Sequence, residues 1–117
     1  MREFMHSHDM AYACVFVMEN ADINDIIAMN QSRQQQDINP PHFLNIGTGE
    51  EITIKQLALK IKKLAGFKGE ILFDKSKPDG TMRKATDITQ LKNLGFIHRY
   101  NLDEGLKMTL DTYLNKV

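Results

Sequence analysis

The chain has one cysteine, no tryptophan, three prolines and no excess of either charge. A lone Cys14 excludes an intramolecular disulfide. It lies in Ala13-Cys14-Val15-Phe16-Val17, where a thiol reads as a small buried hydrophobe, and no basic neighbour is present to activate it. Lys plus Arg and Asp plus Glu number 15 each, so the basic excess of a nucleic-acid binder is missing. No run approaches the roughly 20 apolar residues of a membrane span. Met1-Arg2-Glu3-Phe4-Met5-His6 lacks the apolar stretch of a signal peptide, so the expected location is cytoplasmic. His6 and His8 would share a face on a strand, but no Cys-x-x-Cys or His-Glu-x-x-His accompanies them, and no metal site is expected. No Gly-x-Ser-x-Gly elbow supports a hydrolase. Gly47-Thr48-Gly49 is followed by Ile52 where a dinucleotide fingerprint needs glycine, so it reads as a plain turn.

What is present fits a soluble domain: 117 residues, 42% of them hydrophobic, enough for one small core. Phe4-Met5-His6 reads as a short strand, and Ser7, His8 and Asp9 offer capping groups. Met10, Ala13, Cys14 and Val17 fall at helical spacing over 9–19. Residues 20–41 are polar apart from a brief helical extension at Ile23, Ile26 and Ile27, and they read as a long surface loop closed by Asn39-Pro40-Pro41. Phe43-Leu44-Asn45-Ile46 reads as a buried strand. Thr53 and Gln56 have capping-box spacing ahead of a helix whose apolar face carries Ile54, Leu57, Ala58, Ile61, Leu64 and Ala65, with Gly66 at its end. Lys55, Lys60, Lys62 and Lys63 fall on its solvated face. Glu70–Asp74 reads as a second strand, making a parallel crossover unit. Asp87 caps a short helix with Ile88, Leu91 and Leu94, ended by Gly95. Asn101 and Glu104 open a last helix with Leu102, Leu106, Leu110 and Tyr113, or Leu114, on its apolar face.

The most informative segment is Lys75-Ser76-Lys77-Pro78-Asp79-Gly80-Thr81-Met82-Arg83-Lys84, with four cationic side chains following a predicted strand. Loops at the carboxyl ends of strands bind ligands in α/β folds. Arg83 can grip a phosphate through two hydrogen bonds, Lys84 can add a point charge, and Asp79 can accept from a sugar hydroxyl. The same loop also reads as an ordinary exposed connection.

Four segments in order carry a resemblance. Arg2-Glu3-Phe4-Met5-His6 with Asp9-Met10-Ala11, Phe43-Leu44-Asn45-Ile46-Gly47-Thr48-Gly49, Lys77–Lys84, and Asn101-Leu102-Asp103-Glu104-Gly105-Leu106 together resemble the GDP-L-fucose synthases of the extended short-chain dehydrogenase/reductase superfamily. The resemblance implies NADPH-dependent 3,5-epimerisation and 4-keto reduction of GDP-4-keto-6-deoxymannose, with an amino-terminal Rossmann domain holding NADP and a smaller carboxy-terminal domain closing over the sugar nucleotide. It implies that Arg2 matches the family's substrate-contacting arginine and that Asp79 and Lys84 match substrate-side positions, with Arg2 or Lys84 near the diphosphate of a GDP-sugar and Asp79 near its hydroxyls. Met82 stands where the family has proline, and His8 where an acid is usual. The family's Tyr-x-x-x-Lys pair is not found: Tyr12, Tyr100 and Tyr113 are followed four residues on by Phe16, Glu104 and Val117. Its catalytic Cys and His lie upstream of Arg-Glu-Phe, so Cys14 takes neither role.

The expectation is an α/β carboxy-terminal domain over 1–117, with a few short strands and four to five helices and without the Rossmann cofactor domain. It binds a GDP-sugar through Arg2, Asp79, Arg83 and Lys84, carries no catalytic residue, and binds no cofactor by itself. The expected partners are the missing Rossmann domain or a second copy. Two alternatives stand beside this reading: a non-catalytic interaction module, and a segment of a related nucleotide-sugar epimerase or dehydratase.

Overall fold

The computed structural model describes residues 1–33, 42–74, 76–78 and 80–115, with Ser32 and Arg33 as backbone only. Among these residues five helices follow one another: α1 (Ser7–Asn20), α2 (Ile23–Arg33), α3 (Ile54–Leu64), α4 (Thr89–Asn93) and α5 (Leu102–Leu114). The helix count agrees with the sequence. The strands do not form: among the described residues the only β pairing is two isolated bridges, Arg2 with Ile52 and Arg2 with Lys84. The α/β expectation, with its crossover unit, is therefore corrected to helices joined by extended segments. The reason is the want of neighbours. A strand is stable only within a sheet that pairs its backbone and covers a face. Leu72 is 86% exposed and Phe73 48%, and the Phe43 side chain is exposed as well.

Helix boundaries follow local chemistry. The cap of α1 is His6, whose Nδ1 accepts from the His8 amide at 3.2 Å, rather than Ser7, His8 or Asp9. Asp9 turns inward instead. It is fully buried, and its two carboxylate oxygens accept from the Arg99 and Tyr100 amides at 3.0 Å each. The loop expected at 20–41 is helical over Ile23–Arg33, and residues 34–41 lie outside the described residues. Asp22 opens α2: its Oδ1 accepts from the Asn24 and Asp25 amides, while Asp25 accepts from the Asp22 amide at 2.9 Å. Both predicted capping boxes are present, Thr53 with Gln56 at α3 and Asn101 with Glu104 at α5. Gly66 (φ 65°) and Gly95 (φ 92°) close α3 and α4 in the left-handed region that side chains disfavour.

The core lies between α1 and α4. Ala13, Ile88, Leu91 and Phe96 are buried, flanked by Met5, Tyr12, Phe16, Val17, Leu44 and Ile46. The Tyr12 and Phe16 rings each lie 5.4 Å from Phe96, and the Arg99 guanidinium stacks 3.6 Å from the Tyr12 ring centre. Gln90 Nε2 donates to Asn30 Oδ1 at 2.7 Å, and Asn30 Nδ2 donates to the Phe43 carbonyl at 3.0 Å. Cys14 points outward and is exposed, contrary to its reading as a buried hydrophobe, because Ala13 takes the inward position on α1.

Away from this centre the chain spreads out. Its radius of gyration is 18.1 Å, against about 13 Å for a compact domain of 100 residues. Helix α3 packs on α5, and Lys60, expected on a solvated face, pairs with Asp103 at 2.6 Å. Yet Ile54, Leu59, Ile61 and Leu64 of α3 remain exposed. No helix among the described residues is long and apolar enough to cross a membrane.

The split between a small core and bare periphery has a measurable consequence. Leu91, 1% exposed, should lose about 2–5 kcal/mol of stability as Leu91→Ala. Leu72→Ala, at an 86% exposed position, should change stability by less than about 0.5 kcal/mol. Urea denaturation of both variants checks the contrast.

Candidate substrate-binding edge

The candidate site begins with a short extended segment, Met1–Glu3, caught between two others. The Arg2 amide and carbonyl pair with Ile52 at 2.8 Å in both directions, and the Lys84 amide donates to the Met1 carbonyl at 3.1 Å. The Met1 nitrogen also donates to the Met82 carbonyl at 2.6 Å. Arg2 is thus the middle residue of three, with Ile52 antiparallel on one side and Lys84 parallel on the other.

Glu3 fixes this arrangement from beneath. One carboxylate oxygen accepts from the Thr48 amide and, at 2.8 Å, from the Gly49 amide; the other accepts from the Thr86 amide at 2.9 Å. A Cβ at Gly47 would collide with the same carboxylate, so glycine is required there by close approach. Burial pushes the Glu3 carboxyl up, but the amides of Gly49, Thr86 and Thr48 favour its charged form and hold it below the ordinary 4.5. The Gly47-Thr48-Gly49 turn therefore serves a carboxylate of this chain.

The sequence-predicted site residues separate into three cases. Arg2 and Lys84 are brought together through their backbones, and no described carboxylate pairs with either side chain. Arg2 Nη1 donates to the Met1 carbonyl at 2.7 Å, while a Cβ on Gly80 would lie 3.5 Å from Nη2, which places Gly80, within the cationic loop, against it. Arg83 is engaged: its Nε and Nη2 meet both oxygens of Glu51, at 2.6–3.0 Å. Asp79 lies outside the described residues, as does Lys75. Glu3 and Glu51 were not predicted for this edge. Glu3 stood in view inside Arg-Glu-Phe, whereas nothing in the sequence links Glu51 to Arg83.

The edge is open. One cleft of about 450 Å³ is lined by Phe4, Glu51, Ile52, Leu59, Lys60 and Asp103 among others, and a second of about 450 Å³ lies near Gly49, Lys92 and His98; neither includes Arg2, Arg83 or Lys84. In the second, His98 Nε2 lies 3.7 Å from Glu50. No group of three or more His, Cys, Asp or Glu among the described residues is placed to hold a metal ion.

Comparison with known proteins decides the kinship. The chain is 43% identical to GDP-L-fucose synthase of Escherichia coli K12 over 114 residues, covering 97% of this chain and 33% of that protein. It superposes on a GDP-6-OMe-4-keto-L-xylo-heptose reductase from C. jejuni with a TM-score of 0.85 at 35% identity, over 99% of this chain and 31% of the other. Sequence and structure both point to the GDP-sugar epimerase/reductase family. A second solved member, a GDP-mannoheptose C4 reductase from Campylobacter jejuni with NADP bound, matches with a TM-score of 0.77 at 35% identity, covering 97% of this chain and 31% of that one. The chain spans about a third of the length of these family members. No family model matches it.

Glu3 links this edge to pH. Its folded value lies below its ordinary one, so its contribution to stability is complete above about pH 4.5 and is lost as pH falls through the folded value. Glu3→Gln should destabilise the chain by about 2 kcal/mol at pH 7, the scale of hydrogen bonds to a charged acceptor. The gap between the two proteins should narrow on acidification below pH 4.5, measured by urea midpoints across pH 3–7.

Proposed function

We propose that this chain is the carboxy-terminal, GDP-sugar-binding part of a GDP-L-fucose synthase-like enzyme, one that epimerises and reduces GDP-4-keto-6-deoxymannose with NADPH. The observation that carries the reading is the joining of Arg2 and Lys84, from distant parts of the chain, on one open edge with no carboxylate partner among the described residues. Two adjacent cations suit the two phosphates of a nucleoside diphosphate sugar. Asp79, from the same loop as Lys84, is assigned to a sugar hydroxyl. The 43% identity to a GDP-L-fucose synthase favours GDP over other nucleotides.

Among the described residues, the Gly47-Thr48-Gly49 turn does not fit a phosphate of NADP. The amides of the Gly47-Thr48-Gly49 turn are held by Glu3, and no phosphate can take them without displacing that carboxylate. The cofactor belongs to the remainder of the family enzyme, and this chain by itself binds substrate without turning it over. The binding edge then supplies one wall of a site that the cofactor domain completes.

A second reading is favoured by the exposed apolar residues of α3 together with Leu72 and Phe73. Such surface is ordinarily covered in a stable assembly. The chain would associate with the missing Rossmann domain or with a second copy; a sharp monomer peak on a sizing column at high concentration counts against this.

Calorimetry with GDP, UDP and dTDP tests the main reading. GDP should bind most tightly, and Lys84→Met should weaken it by about tenfold, the loss of one charged hydrogen bond. NADPH should not be oxidised in the presence of a GDP-4-keto-sugar. Turnover by the pure chain, or equal affinity for all three nucleotides, contradicts the proposal.

A further inference from the structure

Arg83 has the chemistry to hold a phosphate, but its binding fork is filled by Glu51. Both partners sit beside residues that flank Arg2: Glu51 precedes Ile52, and Arg83 precedes Lys84. Adjacent extended segments lie about 4.8 Å apart. The pair therefore reaches from one flanking segment to the other, across the central segment that carries Arg2. Nε and Nη2 of Arg83 meet Oε1 and Oε2 of Glu51 at 2.6–3.0 Å, a geometry that fixes orientation as well as distance.

We propose that Glu51 and Arg83 form a positioning strut that holds Lys84 beside Arg2, and that Arg83 does not itself contact the ligand phosphate. Side chains alternate along extended backbone, so Glu51 and Arg83 take the register opposite to that of Ile52 and Lys84. The strut thus leaves the Arg2 and Lys84 face clear while tying the loop that follows Pro78 to the Ile52 segment. The hydrogen bonds from Arg83, with its charge, outweigh burial and hold the Glu51 carboxyl below its ordinary value, and Glu51 raises the Arg83 guanidinium. The pair is therefore ionised throughout the neutral range. Arg83 is 72% exposed, and an ion pair so placed contributes little to global stability. Removing it should loosen the loop without unfolding the chain.

The inference rests on the GDP-sugar-binding reading, and two measurements on the full chain keep the two separable. Glu51→Gln and Arg83→Gln should each weaken GDP binding by about tenfold, as expected for strongly coupled neighbours, and should speed hydrogen exchange at the Lys84 amide. The charge swap Glu51→Arg/Arg83→Glu should recover most of both losses. Tighter GDP binding by Glu51→Gln would mean that a freed Arg83 grips the phosphate directly, and would overturn the strut. A swap no better than Arg83→Glu alone would overturn it as well. Failure of the wild-type chain to bind GDP would sink the substrate reading, and the exchange arm would then decide the strut: acceleration at Lys84 in Glu51→Gln supports it, and an unchanged rate refutes it.

Discussion

The Glu3 carboxylate is the interaction on which the rest of the binding edge depends. A carboxylate taken from water into a protein costs free energy unless its oxygens find donors. Here the donors are backbone amides from two separate stretches, Thr48-Gly49 and Thr86. Satisfying one charge therefore draws three pieces of chain to one point. Arg2 is covalently next to that charge, and Lys84 is two residues before Thr86. Their meeting on one edge follows from where Glu3 finds its hydrogen bonds, more than from any attraction between the cations, which repel each other.

Asp9 repeats the device at the other side of α1. Its two oxygens accept from the Arg99 and Tyr100 amides and bring the turn before α5 against the first helix. The apolar core between α1 and α4 is small, with four buried hydrophobic residues among those described. In such a chain carboxylates that bind backbone amides, the partly buried Glu3 and the buried Asp9, contribute order that packing alone does not supply. The outer face of α3, with Leu72 and Phe73, leaves apolar side chains exposed to solvent.

The sequence disclosed the parts set by local chemistry. Thr53 with Gln56 and Asn101 with Glu104 mark helix starts because the partners are three residues apart, and Gly66 and Gly95 mark ends for an equally local reason. Helix α2 was legible only in outline: Asp22 and Asp25 form a reciprocal cap, but the polar tract after Met29 outweighed it. The strands were misread because a short apolar run such as Phe43–Ile46 reports burial, whereas a strand requires a neighbour that no local pattern reveals. The cationic loop stood out in the sequence by its charge. That Arg83 would be claimed by Glu51, and that Glu3 would organise the edge, were not legible, since those contacts join residues far apart in the chain.

The central claim is that a nucleotide diphosphate binds at the edge shared by Arg2 and Lys84. The most direct measurement is a GDP titration of the isotope-labelled chain, followed through its backbone amide resonances. Shifts concentrated at Arg2, Gly80 and Lys84, and weakened in a Glu3→Gln variant that remains folded, are the predicted result. Shifts confined to the α3–α5 cleft around Leu59 and Lys60, or none at saturating GDP, would contradict the account.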